Sequence, residues 1–249
     1  MGKMTDRVCI ITGGAGSIGL ASAKLLHEEG GSVMLVDNNQ GNIDQAVQSL
    51  GGESDRVAAA LADVSDEADT KNYVAQAQDK WGRIDVLFCN AGFSGNNKPI
   101  ADFPTNIFDD VIATNVRGPF LACKYAMPLI GDGGSVIITS SIMGVQANPN
   151  TVAYATSKHA VIGMMRSIAK EVAPRNIRVN AVAPGPIDNE FQTEIEDRMS
   201  EIQEEQAEAE MQQMEAQQAA MAPPDPGSEL GGAEMGGGEA AGPPEEPPM

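Results

Sequence analysis

The chain is short of cysteine, of histidine and of long apolar runs, and each shortage removes a class of protein. Its three cysteines, Cys9, Cys89 and Cys123, are odd in number, far apart and each set among apolar residues. They read as buried free thiols in a reducing compartment, not as a disulfide framework. The two histidines, His27 and His159, have no Cys or carboxylate cluster at ligand spacing, so no metal is expected. No apolar stretch approaches the roughly 18 residues that cross a bilayer. The N-terminal residues run almost directly into a candidate strand with no apolar signal segment before it. These features lead us to expect a cytoplasmic protein with no membrane partner.

Basic residues are also scarce, 16 Lys and Arg against 35 Asp and Glu, for a net charge of -19. The imbalance is local. Residues 190–249 hold sixteen acidic side chains and one basic one, Arg198, while residues 1–189 are close to balanced at -4. Neither part carries a basic stripe, which excludes nucleic acid from the expected partners.

What is present is a regular alternation. Short apolar runs at Val8–Thr12, Val33–Asp37, Val57–Ala62, Ile84–Asn90, Ser135–Ser140 and Ile177–Ala183 read as strands. Helical patterns near 18–30, 40–50, 66–82, 104–130 and 151–173 lie between them. Unbroken apolar strands suit a parallel sheet covered on both faces, and the alternation predicts a doubly wound α/β fold. The pattern ends near residue 185. Residues 194–221, rich in Glu, Gln, Ala and Met and free of Pro and Gly, read as an acidic helix, solvated or partner-binding. Of the 28 residues 222–249, seven are Pro and seven Gly, which predicts a disordered tail. The expected organisation is therefore 1–193, 194–221 and 222–249.

Thr12-Gly13-Gly14-Ala15-Gly16-Ser17-Ile18-Gly19 follows the first strand and opens the first helix. Glycines there let backbone approach a pyrophosphate, whose charge meets the N–H groups and dipole of the helix N-terminus. The second strand ends at Asp37, 18 positions after Gly19, with Asn38 and Asn39 next and no Arg close by. A carboxylate there accepts from ribose hydroxyls and repels a 2′-phosphate, which favours NAD over NADP. Asp63-Val64 after the third strand falls beside the adenine ring in this arrangement, and Asn90-Ala91-Gly92 after the fourth brings small residues against the cofactor.

Tyr154 and Lys158 stand four apart on a helix and so share a face. An ammonium near a phenol favours phenolate and lowers a pKa that is ordinarily about 10. The result is a proton donor or acceptor usable in neutral water, as alcohol–carbonyl interconversion requires. Ser141 lies thirteen positions upstream of the tyrosine.

Taken in order, the Thr12–Gly19 loop, Asp63, Asn90-Ala91-Gly92, Asn115, Ser141, Tyr154, Lys158 and Pro184-Gly185 make residues 5–192 resemble the classical short-chain dehydrogenase/reductase family. The resemblance implies a Rossmann-like domain with Tyr154 as general acid/base. Lys158 lowers the tyrosine pKa and binds the nicotinamide ribose, Ser141 orients the substrate oxygen, and Asn115 holds a water feeding a proton relay. Ser140 is adjacent, but the family's thirteen-residue offset selects Ser141. The resemblance extends cofactor contacts to Gly13, Ser17, Ile18, Gly19, Asp37, Asp63, Val64, Asn90, Ala91, Gly92, Pro184, Gly185 and Ile187.

Three departures stand out. Ser17 replaces a usual glycine, and the position of a frequent threonine falls at or beside Asn189. The third is the missing pattern for a seventh strand beyond residue 194, where the shift in composition looks like a replaced C-terminus, leaving the sixth strand as an open edge unless the acidic helix covers it.

The implied reaction is hydride transfer between NAD(H) and a secondary alcohol or ketone, in a homo-oligomer, dimer or tetramer. Phe93, Ser94, Met143, Val145, Gln146 and Phe191 would line the substrate pocket. The alternative is a catalytically silent nucleotide-binding or interaction protein.

Overall fold

In the computed structural model the described residues are 2–187, 200, 204, 207–209 and 211–217. The chain divides into two compact units, Met1–Ser200 and Glu201–Met249. In the second, the described residues 204, 207–209 and 211–217 are helical, with Met211 and Met214 exposed. The expected tail 222–249, Asn189 and Phe191 lie outside the described residues.

In the first unit, strands and helices alternate as β1 (Val8–Thr12), α1 (Ser17–Glu28), β2 (Ser32–Asp37), α2 (Gln40–Ser49), β3 (Val57–Leu61), α3 (Glu67–Trp81) and β4 (Ile84–Cys89). They continue as α4 (Thr105–Ile112), α5 (Gly118–Ala126), β5 (Ile130–Thr139), α6 (Val152–Val172) and β6 (Arg178–Val182). The six strands pair in parallel in the order β3-β2-β1-β4-β5-β6. This is the doubly wound α/β architecture that the apolar runs predict.

The reason lies in the strands. All five residues of β1 are buried, which a strand permits only when both faces of its sheet are covered. On one face Cys9, Ile11, Val33, Leu35 and Val57 pack against Ala23 of α1 and Ile43, Ala46 and Val47 of α2. On the other, Ile10, Met34, Leu87, Val136 and Ile138 meet Tyr73 and Val74 of α3, Ala122 and Cys123 of α5, and Val161 of α6. All three thiols lie in these two layers. At the N-terminal end of the sheet the buried Asp85 carboxylate receives Arg7 and Arg83, each at 2.6 Å, and the Val8 N–H at 3.0 Å. Burial alone would raise its pKa, but Arg83, the Val8 amide and Arg7 together hold it below the usual carboxylate value.

Two elements differ from expectation. β5 begins at Ile130, five residues before the predicted start. Ile130 is buried and pairs with Ile84, while Gly133, at φ 82°, carries the intervening irregularity that reads in sequence as a turn. The predicted helix over 104–130 is two helices joined by a π-helical turn, Ala113–Arg117. Pro119 has no N–H to give to the carbonyl of Asn115, so the ordinary i→i−4 ladder cannot run through this point. Gly118, itself helical, lets the turn pack closely on the buried Val64, whose Cγ2 would stand 3.0 Å from a Cβ there.

A parallel sheet delivers all its strand ends to one edge. Thr12, Asp37, Cys89, Thr139 and Val182 close their strands along the C-terminal side, on either side of the point where strand order reverses between β1 and β4.

Candidate active site

The turn from β1 into α1 depends on glycine at two places. Gly13 has φ 61°, and a Cβ on it would lie 2.9 Å from Cα of Ala91. A Cβ on Gly19 would lie 2.1 Å from the carbonyl oxygen of Gly13, so no other residue fits there. Ser17 is the first residue of α1 and has no positive φ, so serine in place of the family's glycine carries no left-handed backbone strain. Gly16 is the N-cap of α1 and makes no side-chain capping hydrogen bond; a helix N-terminus of this kind favours anions.

The neighbouring strand ends fix this loop. Thr12 Oγ1 accepts from the N–H groups of Asn90 and Ala91 at 3.0 and 3.2 Å. The Asn90 amide donates to the Gly13 carbonyl at 3.2 Å, and Thr139 Oγ1 donates back to Asn90 Oδ1 at 3.1 Å. Asp37 accepts from Ala15 N–H at 3.2 Å and from the N–H groups of Asn38 and Asn39 at 2.9 and 3.3 Å. Its carboxylate thus sits against the glycine-rich turn. Asp63 is exposed and accepts from the N–H and the hydroxyl of Ser65, both at 2.8 Å, while Val64 is buried.

At the other half of the edge, Ser141 begins a tight 3₁₀ turn, Ile142–Gly144, with its Oγ accepting from Met143 N–H at 3.2 Å. The turn is held to the next strand end by Ile142 N–H donating to the Pro184 carbonyl at 2.9 Å. Gly185 and Ile187 follow, both exposed. Tyr154 and Lys158 lie in the first two turns of α6, with Lys158 Nζ 5.5 Å from the centre of the tyrosine ring. The Tyr154 phenol shares a side-chain hydrogen bond with Ser141. The lysine is 4% exposed and donates to the main-chain oxygen of Thr139 at 2.9 Å. Gly92 adjoins both sides of the site, since a Cβ there would stand 3.0 Å from Asn115 Oδ1 and 3.3 Å from Lys158 Nζ.

Asn115, in the π-helical turn, is 1% exposed and its side chain is fully engaged. Its Oδ1 accepts from Phe93 N–H at 3.0 Å, and its Nδ2 donates to the Phe93 carbonyl at 2.9 Å and to Ser157 Oγ at 3.0 Å. The Ser157 hydroxyl in turn donates to the Tyr154 carbonyl at 2.7 Å. The side chain therefore acts as a fastener between the Phe93 loop and α6.

The electrostatics depart from the simple Tyr–Lys argument. Burial raises the Tyr154 pKa above the ordinary phenol value, and the hydrogen bond with Ser141 pulls against it. Lys158 is itself lowered to about 8 by burial. Desolvation is thus the larger of the two influences on the phenol.

Several participants escape the motif argument. Thr139 holds Lys158, and Asn115 reaches Ser157, through hydrogen bonds that no spacing rule announces. Pro119 was visible in sequence as a helix breaker, and it is the signal that could have placed Asn115 at an interruption. His159 is exposed on a different face of α6 from Lys158, with Nδ1 2.9 Å from the Ala155 carbonyl. Among the described residues no group of three His, Cys, Asp or Glu side chains is placed to hold a metal, and no helix is long and apolar enough to cross a membrane.

A doubly wound parallel sheet with a glycine-tight first turn defines a Rossmann-like protein, and Tyr154, Lys158 and Ser141 gather on the same edge of that sheet. Residues 7–200 match the short chain dehydrogenase family, and the chain belongs to it. Levodione reductase of Leifsonia aquatica is 36% identical over 205 residues, covering 80% of this chain and 75% of the relative. The 3-oxoacyl-acyl-carrier-protein reductase FabG of Thermotoga maritima is 36% identical over 201 residues, covering 80% and 81%. The crystal structure of an NAD+-bound xylitol dehydrogenase superposes with a TM-score of 0.71 at 36% identity, covering 76% of this chain and 74% of that one.

Proposed function

We propose that this chain transfers a hydride between NAD(H) and a secondary alcohol or ketone, with Tyr154 as general acid/base. The observation that carries the reading is the meeting of Ser141, Tyr154 and Lys158 one strand end away from a glycine-tight, uncapped helix N-terminus. The site fits a dinucleotide. Gly13 and Gly19 exclude side chains from the turn, Asp37 stands where ribose hydroxyls would meet it, and Gly92 leaves room beside Lys158. An NAD+-bound structural relative supports the choice of NAD, as does the Asp37 carboxylate, which disfavours a 2′-phosphate.

When bound, the nicotinamide supplies or accepts the hydride; the chain positions and protonates. In ketone reduction the Ser141 hydroxyl and the Tyr154 phenol converge on the carbonyl oxygen, and Tyr154 gives its proton to it as charge develops there. Lys158, charged at neutral pH, favours the phenolate that remains. Asn115 and Ser157 hold the Phe93 loop and Tyr154 in register. Asp63, Val64, Asn90, Ala91, Pro184, Gly185, Ile18, Ser17 and Ile187 complete the proposed cofactor walls. The working unit is a homo-oligomer of the 1–193 domain, to be read from the solution mass, with 194–221 and 222–249 as appendages.

The test is NADH-dependent reduction of a panel of ketones, and NAD+-dependent oxidation of the matching secondary alcohols, by the whole chain and by Tyr154→Phe. Turnover that collapses in the variant supports the reading. Activity no greater than the variant's across the panel would remove it.

A further inference from the structure

Ser140 lies between the two residues that serve the site, Thr139 and Ser141, just past the end of β5. It is 2% exposed. Its hydroxyl donates to the main-chain carbonyl of Lys158 at 2.9 Å, across 18 residues of sequence. The preceding residue, Thr139, accepts the ammonium of the same lysine on its own carbonyl, also at 2.9 Å. Lys158 is therefore held at both its ends, side chain and backbone, by two consecutive residues of one strand end.

Gly144 closes the arrangement from the other side. A Cβ on it would lie 2.2 Å from Ser140 Oγ and 2.7 Å from the Lys158 carbonyl oxygen. The 3₁₀ turn that carries Ser141 thus rests directly on the backbone of α6 at Lys158, with the Ser140 hydroxyl between them. Tyr154 is one helical turn earlier on α6, so this contact sets the separation between the Ser141 hydroxyl and the Tyr154 phenol.

We infer that Ser140 is a positioning residue for the hydride-transfer site, acting with Gly144 to seat the Ser141 turn on α6 and to hold Lys158 at its station. The inference rests on the proposed function for its catalytic consequence. Its binding consequence, at the nicotinamide end of the dinucleotide site, is separable. The adenine end is built from the Gly13–Gly19 turn and Asp37, none of which Ser140 touches.

The experiment compares wild type, Ser140→Ala and Ser140→Thr for binding of NADH and of ADP, for kcat and KM, and for thermal midpoint. Ser140→Ala is expected to weaken NADH about threefold to tenfold, as one lost hydrogen bond would, while ADP binding stays within twofold of wild type. In the same variant kcat falls while KM for the ketone changes little, and Ser140→Thr, which keeps the hydroxyl, recovers both. If Ser140→Ala does not fold, Gly144→Ala presses on the same contact and should give the same split between NADH and ADP. Equal losses of NADH and ADP, or no loss of either, would overturn the inference. If no ketone is reduced by wild type, the catalytic reading fails by itself and the NADH/ADP split still decides the role of Ser140.

Discussion

The carboxamide of Asn115 holds both main-chain groups of Phe93, accepting from its N–H at 3.0 Å and donating to its carbonyl at 2.9 Å. The pairing imitates one rung of a sheet in a place where no strand runs. It ties the segment after β4 to the interrupted helix, and the remaining amide proton reaches Ser157 on α6.

Asn115→Ala leaves two backbone groups and a buried hydroxyl short of partners at once. It should destabilise the protein by about 1–3 kcal/mol, the range for a buried polar group left unsatisfied. A urea titration checks this: the midpoint falls while the slope is unchanged. A midpoint within error of wild type would mean that the fastening is not a stability element.

Lys158→Met should separate stability from activity. Burial lowers this lysine from 10.5 to about 8, so between those values the folded protein binds fewer protons than the unfolded one. Its stability must then rise with pH over that window, and below it the cost of the buried charge is present in full. Replacing the ammonium with an isosteric apolar chain removes that cost, less the bond to Thr139. At pH 7 we expect a gain of about 1–2 kcal/mol alongside loss of turnover. Thermal melts of both proteins from pH 7 to pH 10 would reveal it, and the difference should shrink as pH rises.

Ser141→Ala should move the alkaline behaviour of the reaction. The hydrogen bond with Ser141 is what pulls the Tyr154 phenol down against the effect of burial. Without it the phenol holds its proton to higher pH, and the rising limb of alcohol oxidation shifts in the alkaline direction. Rate profiles for oxidation, where phenolate is the active form, give the sign directly. A limb that stays put or moves to lower pH would contradict the assignment.

Asp37 should discriminate between cofactors. With its carboxylate fixed by the N–H groups of Ala15, Asn38 and Asn39, NADPH should bind at least about tenfold more weakly than NADH, roughly 1.4 kcal/mol. Asp37→Ser narrows the gap by relieving the repulsion of the 2′-phosphate. Fluorescence titration with both dinucleotides measures it.

The sheet was legible in sequence because its strands are apolar on both faces, and a run such as Val8-Cys9-Ile10-Ile11 admits few other readings. The Gly13–Gly19 turn was legible because glycine leaves a mark wherever backbone must pass close to backbone. Less visible were contacts made by common residues at long range. Nothing near Thr139 in the chain points to Lys158, nothing near Asn115 points to Ser157, and the early start of β5 hides behind glycines that serve as a bulge. The phenol's proton affinity also escaped the spacing argument. Four residues on a helix fix which face two groups share, but not how much water each has lost.

The three buried thiols give the protein an internal clock. Burial pushes Cys9 up to about 12, and Cys89 is raised well above its ordinary value by its hydrogen bond with Cys123 and by burial. All three are buried, so a thiol-directed reagent reaches them only when a molecule opens. Cys9 sits in the layer beneath α1 and α2, while Cys89 and Cys123 sit in the layer beneath α3, α5 and α6. The order in which they become labelled would time the parting of the two faces of the sheet, without any probe being added.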